Sequence, residues 1–310
     1  MNGPTLTLPA FAKINLGLRV LGKRPDGYHE IDSVFQTISL NDTVTLTVSD
    51  SPQIVLSCDD RSLPTDGENL VHRAAQALQS RFAPDKGARI RLEKRIPALA
   101  GLGGGSSDAA VALLGLAYLW QVDLKVEEMS EMASSLGADM PFFLLGGTAR
   151  GTGTGNEIAP LPDITNKCLL VIKPNVSVST SDAYRSLNAG SLTTVEAKTI
   201  LSSSEWNEIP GSFDPETLRN DFEPVVFELE PEIKRAKVAL IGAGAQAALL
   251  AGSGSAVFGI FDSEDAQKRA IQAIELESGW RVFPCSTVGR SHYRSAMGPC
   301  SAIFGRFTGP

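Results

Sequence analysis

Alternating apolar and polar positions predict β-strands in the first third of the chain. The alternation covers residues 5–20, 43–48 and 90–96, where β-branched residues are frequent and Pro97 ends the last run. A period of two is typical of a strand whose two faces meet different surroundings. We therefore expect three strands whose side chains point alternately toward a core and away from it.

Apolar residues at helical spacing predict three helices among these strands. The pattern covers residues 68–82, 108–119 and 126–136, and a spacing of three and four places apolar side chains on one helix face. An apolar strand over residues 168–172 opens the second half, in which strands and helices alternate. The pattern as a whole predicts a mixed α and β protein.

A stretch rich in glycine and proline lies between the two halves. Glycines are frequent over residues 146–155, and prolines follow at positions 160 and 162. Such residues punctuate regular structure, and a chain of 310 residues is longer than a typical single domain. We therefore predict two domains, residues 1–162 and residues 163–310.

Composition narrows the class of protein. Hydrophobic residues make up 43% of the chain and charged residues 20%, which is ordinary for a globular protein and unlike a disordered one. The formal net charge is −7, whereas a general nucleic-acid binder is usually basic. We expect a folded protein that does not bind nucleic acid.

The sequence indicates no membrane segment, disulfide framework or zinc site. The longest apolar stretch, residues 109–120, is broken by a glycine and is shorter than the ~20 residues that cross a bilayer. Residues 1–11 contain no basic segment ahead of an apolar one, so they do not resemble a signal peptide. The four cysteines and three histidines are scattered along the chain. We expect a cytoplasmic protein that does not bind membranes.

The first predicted strand carries an unusual polar pair. Ala12, Ile14 and Leu16 share an apolar face, and Lys13 and Asn15 point together to the other side. The pattern alone favours a solvated sheet face for this pair. A role in chemistry requires partners from elsewhere in the chain.

A glycine-rich segment, residues 97–108, offers such a partner because it follows a predicted strand and leads into a predicted helix. Glycines let backbone N–H groups approach an oxyanion, and a helix start adds unpaired donors and partial positive charge. The segment is therefore predicted to bind phosphate. Ser106 and Ser107 would cap the helix, donate to phosphate or touch a metal ion. The alternative is a flexible turn with a serine cap.

Two other nucleotide-binding motifs are absent, and a third is imitated by spacing alone. The segment lacks the Gly-x-x-x-x-Gly-Lys-Ser/Thr pattern, and the chain lacks the His-Arg-Asp and Asp-Phe-Gly motifs of protein kinases. Gly242, Gly244 and Asp262 imitate a dinucleotide fingerprint. Residues 231–240 fit a helix better than a strand, so we predict that the two glycines end a helix. Residues 250–258 predict two strands joined by a glycine turn.

Asp139 lies in an apolar bend after the third predicted helix and has few polar neighbours in sequence. It is either a helix cap or, if it lies beside Lys13, a general base next to a cation. The sequence alone does not bring these two distant residues together.

Five segments carry a resemblance to a known superfamily. Residues 12–16, 24–30, 101–107, 137–139 and 251–255 are similar, in this order, to motifs of the galactokinase, homoserine kinase, mevalonate kinase and phosphomevalonate kinase (GHMP) superfamily. Within it, Lys-Ile-Asn-Leu followed by Asp-Gly-Tyr-His resembles the branch that acts in the non-mevalonate route to isoprenoid precursors. The resemblance covers about residues 9–285.

This resemblance implies an α+β, two-domain GHMP kinase fold. The first domain would resemble the second domain of ribosomal protein S5 and bind ATP, and the second would be ferredoxin-like and lie on the substrate side. The active site would occupy the cleft between them. The implied reaction transfers the γ-phosphoryl group of ATP, with Mg²⁺ as cofactor, to the 2-hydroxyl of 4-(cytidine 5'-diphospho)-2-C-methyl-D-erythritol.

The resemblance also implies roles for individual residues. Asp139 matches the general base and Lys13 the cation that orients it. The ATP phosphates are assigned to Pro97, Ala98, Leu99, Ala100, Gly101, Leu102, Gly103, Gly104, Gly105, Ser106 and Ser107. The substrate is assigned to Asn15, Tyr28, His29, Thr180, Tyr184, Gly252, Ser253 and Gly254. Asn15 would bind the polyol, Tyr28 and His29 the cytidine, Tyr184 the other face of the cytosine, and residues 252–255 the diphosphate.

Two departures and two alternatives accompany the resemblance. Residues 98–100 are Ala-Leu-Ala where this branch often has more glycine, and residues 286–310 have no firm family counterpart. Another GHMP kinase, such as a homoserine or mevalonate kinase, is the alternative enzyme, and Tyr28 and His29 argue against it. A nucleotide sensor is the non-enzymatic alternative, although binding alone does not need the base and cation that Asp139 and Lys13 supply.

Overall fold

The structure is a computed structural model of the chain. It describes residues 3–187, 190, 194–202, 204, 206, 218–274 and 279–304. Two β-sheets with helices packed against them make up this part of the chain. None of the described helices is long and apolar enough to cross a membrane.

A long antiparallel hairpin, β1 with β2, organises the first sheet. The first six strands are β1 (Thr5–Lys23), β2 (His29–Ser49), β3 (Ile54–Cys58), β4 (Gly87–Glu93), β5 (Thr148–Thr152) and β6 (Glu157–Pro160). They run in the order β3-β4-β2-β1, and β5 pairs with β2 and with β6. The predicted strand 43–48 is thus only the second part of the much longer β2.

Three irregularities interrupt the pairing of β1 with β2, and two of them flank the polar pair. The register shifts between Phe11 and Ala12 and again between Asn15 and Gly17, with a third shift between Val20 and Gly22. Such bulges bend a strand and re-aim its side chains. The first two enclose the short segment of β1 that carries Lys13, so the strand is locally reshaped where its polar pair lies.

Four helices cover the first sheet and fill its core. They are α1 (Leu70–Phe82), α2 (Gly104–Leu119), α3 (Val126–Leu136) and α4 (Met140–Leu145). From Ser107 to Ala117 every residue of α2 is buried, and a helix that is apolar all round belongs inside a core. Burial of α2 fixes the direction of its first turn, which follows the glycine-rich segment.

The second sheet has the ferredoxin-like arrangement that the resemblance implies. In chain order the elements are β7 (Cys168–Lys173), α5 (Thr180–Ser186), α6 (Thr194–Ser202), β8 (Arg219–Asn220), α7 (Glu223–Leu229), α8 (Pro231–Gly242), β9 (Ala247–Leu250), β10 (Val257–Phe261), α9 (Glu264–Ile274) and β11 (Arg281–Ser286). The strand order is β11-β7-β10-β9, with every pair antiparallel. The four strands of this sheet, with helices between β7 and β9 and α9 between β10 and β11, follow the β-α-β-β-α-β pattern of that motif, and β8 belongs to the first sheet.

Two segments of the second half join the first. β8 pairs in parallel with β1 at Gly17 and Leu18. The last elements are α10 (Arg290–Ala296), a 3₁₀ turn (Gly298–Cys300) and α11 (Ser301–Phe304). Tyr293 of α10 is buried in the first core and donates its hydroxyl to Phe143 O at 2.6 Å. The described part of the tail therefore packs on the first half, while the division at residue 162 stays a prediction.

The strand predicted over residues 90–96 is wrong at its end, because β4 stops at Glu93. The carboxylate of Asp42 accepts the backbone N–H groups of Arg95 and Ile96 at 2.5 and 2.8 Å. These donors are thereby withdrawn from the strand ladder. The next predicted helix begins earlier than expected, at Gly104 rather than at residue 108.

The helix predicted ahead of Gly242 is confirmed, which removes the dinucleotide interpretation. α8 includes Gly242, and the C-cap is Ala243 rather than either glycine. Gly244 follows with a φ of 95°, a conformation that glycine adopts readily after a helix. Gly244 follows directly after the cap residue of α8, whereas the prediction is wrong for Gly242, which lies within the helix.

Candidate active site

Lys13 and Asn15 are buried together on one face of β1. Only 4% of Lys13 and 1% of Asn15 is exposed, so the solvated sheet face that the pattern favoured is wrong. The Lys13 ammonium donates to Asn15 Oδ1 at 2.8 Å, and Asn15 Nδ2 donates to Ser33 Oγ at 2.7 Å. Since both side chains are hydrogen-bonded and enclosed, the ammonium is held in one place.

Asp139 approaches this ammonium from a distant part of the chain. It is the N-cap residue of α4, but its side chain makes no capping hydrogen bond. Its Oδ2 instead lies 3.5 Å from Lys13 Nζ, with 32% of the Asp139 side chain exposed. A partly open carboxylate in hydrogen-bond reach of a bound hydroxyl can accept its proton. The geometry is that of a base beside a fixed cation.

The glycine loop, defined as residues 97–105, runs beside Lys13. The backbone N–H of Lys13 donates to Leu102 O at 2.9 Å. Gly103 is the N-cap of α2 with a φ of 69°, and a Cβ there would lie 2.8 Å from the ring of Phe143. Both the positive φ at position 103 and the lack of room for a Cβ beside Phe143 require glycine there. The first N–H groups of α2, which have no intrahelical partner, therefore begin next to the Lys13 side chain.

Leu99, in the segment that departs from the family pattern, has a glycine-like backbone. Its φ is 53° and its side chain is exposed, although this region costs a non-glycine residue about 1–2 kcal/mol. Ser255 Oγ donates to Leu99 O at 3.0 Å, and the N–H of Ala256 donates to Ala100 O at 3.2 Å. These hydrogen bonds hold the loop in that conformation.

The second glycine segment, residues 251–255, packs against the glycine loop backbone to backbone. A Cβ added at Gly101 would overlap the carbonyl of Ala251, and one added at Gly254 would overlap the N–H of Gly101. No side chain fits between the two segments. Gly254 therefore supports the loop and does not line either cavity described below.

Gly252 and its neighbours form one edge of the catalytic cleft. A Cβ at Gly252 would lie 3.4 Å from Lys13 Nζ, and the φ of this glycine is 57°. Ser253 Oγ donates to Thr180 Oγ1 at 3.1 Å. Three residues that the resemblance assigned to the substrate thus lie together, close to the predicted cation.

Aromatic side chains line another part of the same cleft, called the aromatic end below. The rings of His29 and Tyr184 stack with centroids 4.8 Å apart at 27°, and Phe222 meets Tyr184 edge-on. Tyr28 is 67% exposed. Burial, followed by the nearby Asp139 charge, raises the pKa of Tyr184 to about 12. Burial and the charge of Lys23 lower the pKa of His29, so both rings favour their neutral forms at pH 7.

Two cavities meet at the glycine loop. One, of about 300 Å³, is lined by Pro97, Ala98, Leu99, Ala100, Gly101, Leu102, Gly103, Gly104 and Gly105 together with residues of α1 and β4. The other, of about 690 Å³, is the cleft, lined by Lys13, Asn15, Tyr28, His29, Ser106, Asp139, Thr180, Tyr184, Gly252 and Ser253. Gly101 and Gly103 line both cavities. A donor in the first and an acceptor in the second would therefore meet at the loop.

Sequence reasoning missed a buried charge cluster next to the first cavity. Lys94 forms ion pairs with Asp42 and with Asp108, the latter at 2.5 Å. Burial, partly offset by Lys94, raises the pKa of Asp108 to about 7, and Asp108 Oδ1 is buried without a described partner. The sequence signal for this cluster is Asp108, a charged residue at the start of an otherwise apolar predicted helix. The cluster anchors the start of α2 to the end of β4.

The structure shows little protein machinery for a metal. Within the described ranges no group of three or more His, Cys, Asp or Glu side chains could hold an ion. Ser107 is buried, and its hydroxyl has no hydrogen-bond partner among the described residues. Ser106 lines the cleft. Neither serine caps α2, since the N-cap is Gly103 and makes no side-chain cap.

Comparisons with known proteins identify the class to which this fold belongs. Residues 69–147 match the model of the GHMP kinases N terminal domain, and residues 211–278 match that of the GHMP kinases C terminal. The solved homoserine kinase of Cytophaga hutchinsonii shares the fold, with a TM-score of 0.68 over 92% of this chain and 95% of that one at 21% identity.

Closer relatives narrow the class. The chain is 43% identical to the 4-diphosphocytidyl-2-C-methyl-D-erythritol kinase of Solibacter usitatus, over 93% of this chain and 90% of that protein. It is 39% identical to the protein of that name from Listeria monocytogenes, over 91% and 97%. A crystal structure of a 4-(cytidine 5'-diphospho)-2C-methyl-D-erythritol kinase has a TM-score of 0.73 and 35% identity, covering 92% of this chain and all of that one.

The two-domain fold, the glycine loop and the Lys13–Asp139 pair, together with these matches, define a GHMP kinase, an enzyme that uses ATP. Within that class the chain belongs to the family of the 4-diphosphocytidyl-2-C-methyl-D-erythritol kinases. The superfamily and the branch expected from the sequence are both confirmed. A sensor without catalysis is thereby set aside.

Proposed function

We propose that this kinase transfers the γ-phosphoryl group of ATP to the 2-hydroxyl of 4-(cytidine 5'-diphospho)-2-C-methyl-D-erythritol. One observation carries the assignment: Asp139 and Lys13 lie 3.5 Å apart in a cleft that also has an aromatic end and a glycine edge. A nucleotide base suits the aromatic end, and a diphosphate suits the backbone of the glycine edge.

Each catalytic residue takes a distinct part in the proposed step. The 2-hydroxyl oxygen attacks the γ-phosphorus, the bond to the β-phosphate oxygen breaks, and ADP leaves. Asp139 accepts the proton of the hydroxyl. Lys13 orients Asp139 and stabilises negative charge on the transferring group, where phosphoryl transfer depends mainly on positioning and electrostatics. Asn15, which holds the ammonium at 2.8 Å, also binds the polyol.

ATP occupies the cavity on the far side of the glycine loop in this proposal. Backbone N–H groups of the loop and the start of α2 bind its phosphates, as at other helix N-termini. Mg²⁺ usually binds through phosphates and one or two protein oxygens, so it would enter with ATP. The hydroxyls of Ser106 and Ser107 are the protein oxygens proposed for it, and the unpartnered hydroxyl of Ser107 fits that role.

In this proposal the cytidine diphosphate part of the substrate extends from the aromatic end of the cleft to its glycine edge. Tyr28, His29 and Tyr184 hold the cytidine, while Thr180, Gly252 and Ser253 hold the diphosphate. The rings of His29 and Tyr184 stack directly on each other, so they support an aromatic wall for the cytidine, with the cytosine outside this pair of rings and not between them. A cytoplasmic location, expected from the sequence, stays a prediction.

The test is a substrate panel in an ADP-release assay with ATP and Mg²⁺. The acceptors are the cytidyl substrate, 2-C-methyl-D-erythritol 4-phosphate, homoserine and mevalonate. We expect turnover of the cytidyl substrate far above the other three. Preferred turnover of homoserine or mevalonate would overturn the proposal in favour of another GHMP kinase, and the absence of any acceptor-dependent ADP would leave only nucleotide binding.

A further inference from the structure

Asn220 is a buried amide that connects three parts of the cleft without lining it. It belongs to β8, the two-residue strand that pairs with β1 at Gly17 and Leu18. Its Nδ2 donates to Leu250 O at 2.9 Å and to Gly252 O at 2.7 Å. An asparagine amide has two N–H donors, and the two bonds use both of them.

These bonds orient the peptide that follows Gly252. The described chain contains no cis peptide bond, and in a trans peptide the carbonyl and the next N–H point in opposite directions. Because the Gly252 carbonyl faces Asn220, the N–H of Ser253 faces away from Asn220. Gly252 and Ser253 line the cleft, so the amide of Asn220 determines how this backbone is presented there.

Asn220 also connects to the aromatic end. Its Oδ1 accepts the backbone N–H of Phe222 at 2.9 Å. The Phe222 ring meets Tyr184 edge-on with centroids 4.8 Å apart. The side chain of Asn220 is therefore bonded to both the glycine edge and the backbone before the aromatic end of the cleft. Its own strand, β8, pairs with β1, the strand of Lys13.

We propose that Asn220 is a positioning residue that fixes Gly252 and Ser253 so that their backbone N–H groups meet the diphosphate of the acceptor. The proposal rests on the proposed function for the identity of that acceptor. Asn220 does not touch the reacting groups, and it acts through the peptide that it holds. A shift of about 1 Å in such a peptide is enough to lower catalysis about 100-fold.

Asn220→Asp tests this, because the carboxylate keeps an acceptor for Phe222 but removes both donors. Gln267→Glu is the matched control. The Gln267 amide also bridges two backbone carbonyls, those of Leu169 at 2.5 Å and Cys285 at 3.0 Å, and it is buried between α9 and the second sheet, away from both cavities. Both variants lose an equivalent bridge, so a purely structural role predicts equivalent effects.

Two readouts separate positioning from stability. In steady-state kinetics, Asn220→Asp should lower kcat/KM for the cytidyl substrate about 10- to 100-fold relative to Gln267→Glu, with KM for that substrate changing more than KM for ATP. In hydrogen exchange, the amides of residues 251–256 should exchange faster in Asn220→Asp only. In wild type, the N–H groups of Ala251 and Ala256 are bonded at 2.9 and 3.2 Å.

Equal kinetic constants and equal exchange in the two variants would overturn the proposal. If Asn220→Asp does not fold, Asn220→Ser, which keeps one donor, replaces it, with an intermediate loss expected and the same overturning result. If wild type does not phosphorylate the cytidyl substrate, the proposed function fails. Exchange at residues 251–256 then still decides whether Asn220 fixes the segment.

Discussion

The ammonium of Lys13 lies 3.5 Å from the carboxylate of Asp139, but the two groups differ in freedom. Lys13 is enclosed and hydrogen-bonded to Asn15 at 2.8 Å, while about a third of the Asp139 side chain is exposed. The cation is thus fixed, and the carboxylate faces the cleft that an acceptor would enter. This asymmetry favours Asp139 as the group that exchanges protons and Lys13 as the group that stabilises charge.

Asp139→Asn keeps the shape of the side chain and removes the proton acceptor. Because general-base catalysis contributes ~10² to 10⁴-fold, we expect kcat to fall by about that factor, with ATP affinity largely kept. Turnover in the ADP-release assay and ATP titration measure the two quantities. Asp85→Asn, at an exposed position away from the cleft, is the control, and a similar kcat in both variants would reject Asp139 as the base.

Lys13→Met removes the charge but keeps an unbranched side chain of similar length in a buried position. Turnover should fall by orders of magnitude, since charge on the transferring group loses its partner. The fold should persist because methionine is readily buried. Circular dichroism checks folding and the ADP-release assay checks turnover. A folded variant with the wild-type rate would leave Lys13 as a structural residue of β1.

The sequence predicts those parts of the site that depend on neighbours along the chain. Alternation in β1 places Lys13 and Asn15 on one face, and the glycine loop leads into a helix. The 3.5 Å contact between Lys13 and Asp139 is different, because it joins β1 to the start of α4, more than 100 positions away along the chain. No local sequence pattern indicates such a long-range contact, so only the resemblance predicts that Lys13 and Asp139 form a pair.

The same limit applies to burial and to long-range charges. Pattern alone made Lys13 and Asn15 a solvated pair, because the alternation of a strand does not show what covers its second face. Asp42 of β2, Lys94 just after β4 and Asp108 of α2 likewise lie apart along the chain. Their ion pairs become visible only when β2, β4 and α2 have been placed together.

Gly105→Ala separates phosphate binding from folding. A Cβ there would meet nothing closer than 3.8 Å, and alanine in a helix is better than glycine by up to about 1 kcal/mol. Stability should therefore hold or rise, while KM for ATP increases because the methyl obstructs close approach of phosphate. KM for the cytidyl substrate should change little.

The comparison variant for this prediction is Gly104→Ala. At Gly104 a Cβ would lie 2.9 Å from Ile96 Cγ2, so this substitution disturbs the protein itself and should lower the melting temperature. Melting temperatures and the two KM values are measured for both variants. An unchanged KM for ATP in Gly105→Ala would argue that phosphate does not approach the first turn of α2.

Asp108 should make stability depend on pH. Its pKa is raised to about 7, mainly by burial, above the ordinary value near 4. Between these values the folded protein keeps a proton that the unfolded chain releases. The resulting stabilisation is complete below about pH 4 and is lost as pH rises through about 7. Lys94 and Asp42 are the charged groups that face Asp108.

Asp108→Asn cannot titrate at this position. The free energy of unfolding of wild type should decrease relative to that of Asp108→Asn as pH rises from 4.5 to 8. This change with pH is expected whichever protein is more stable at pH 4.5. Urea unfolding at several pH values gives both curves. Asp85→Asn should track wild type across the range, and an Asp108→Asn difference that is constant with pH would show that Asp108 is ionised throughout.

Tyr184→Ala tests recognition of the cytidyl group. The ring of Tyr184 stacks on His29 and packs on Phe222, so it is held rigidly at the aromatic end of the cleft. A base stacked on such a ring is worth about 1–3 kcal/mol by analogy with strand-binding proteins. Tyr184→Ala should raise KM for the cytidyl substrate correspondingly, whereas Tyr184→Phe, which keeps the ring, should stay close to wild type.

The truncated acceptor 2-C-methyl-D-erythritol 4-phosphate completes this test because it lacks the group that Tyr184 would hold. Binding energy from the remote cytidyl group also positions the reacting hydroxyl, so truncation should lower kcat as well as raise KM. Tyr184→Ala should then have little further effect on the truncated compound. If wild type phosphorylates both acceptors equally, the cytidyl group has no part in recognition. If truncation matters but Tyr184→Ala changes nothing, the acceptor class stands and cytosine is held by Tyr28 or His29 without Tyr184.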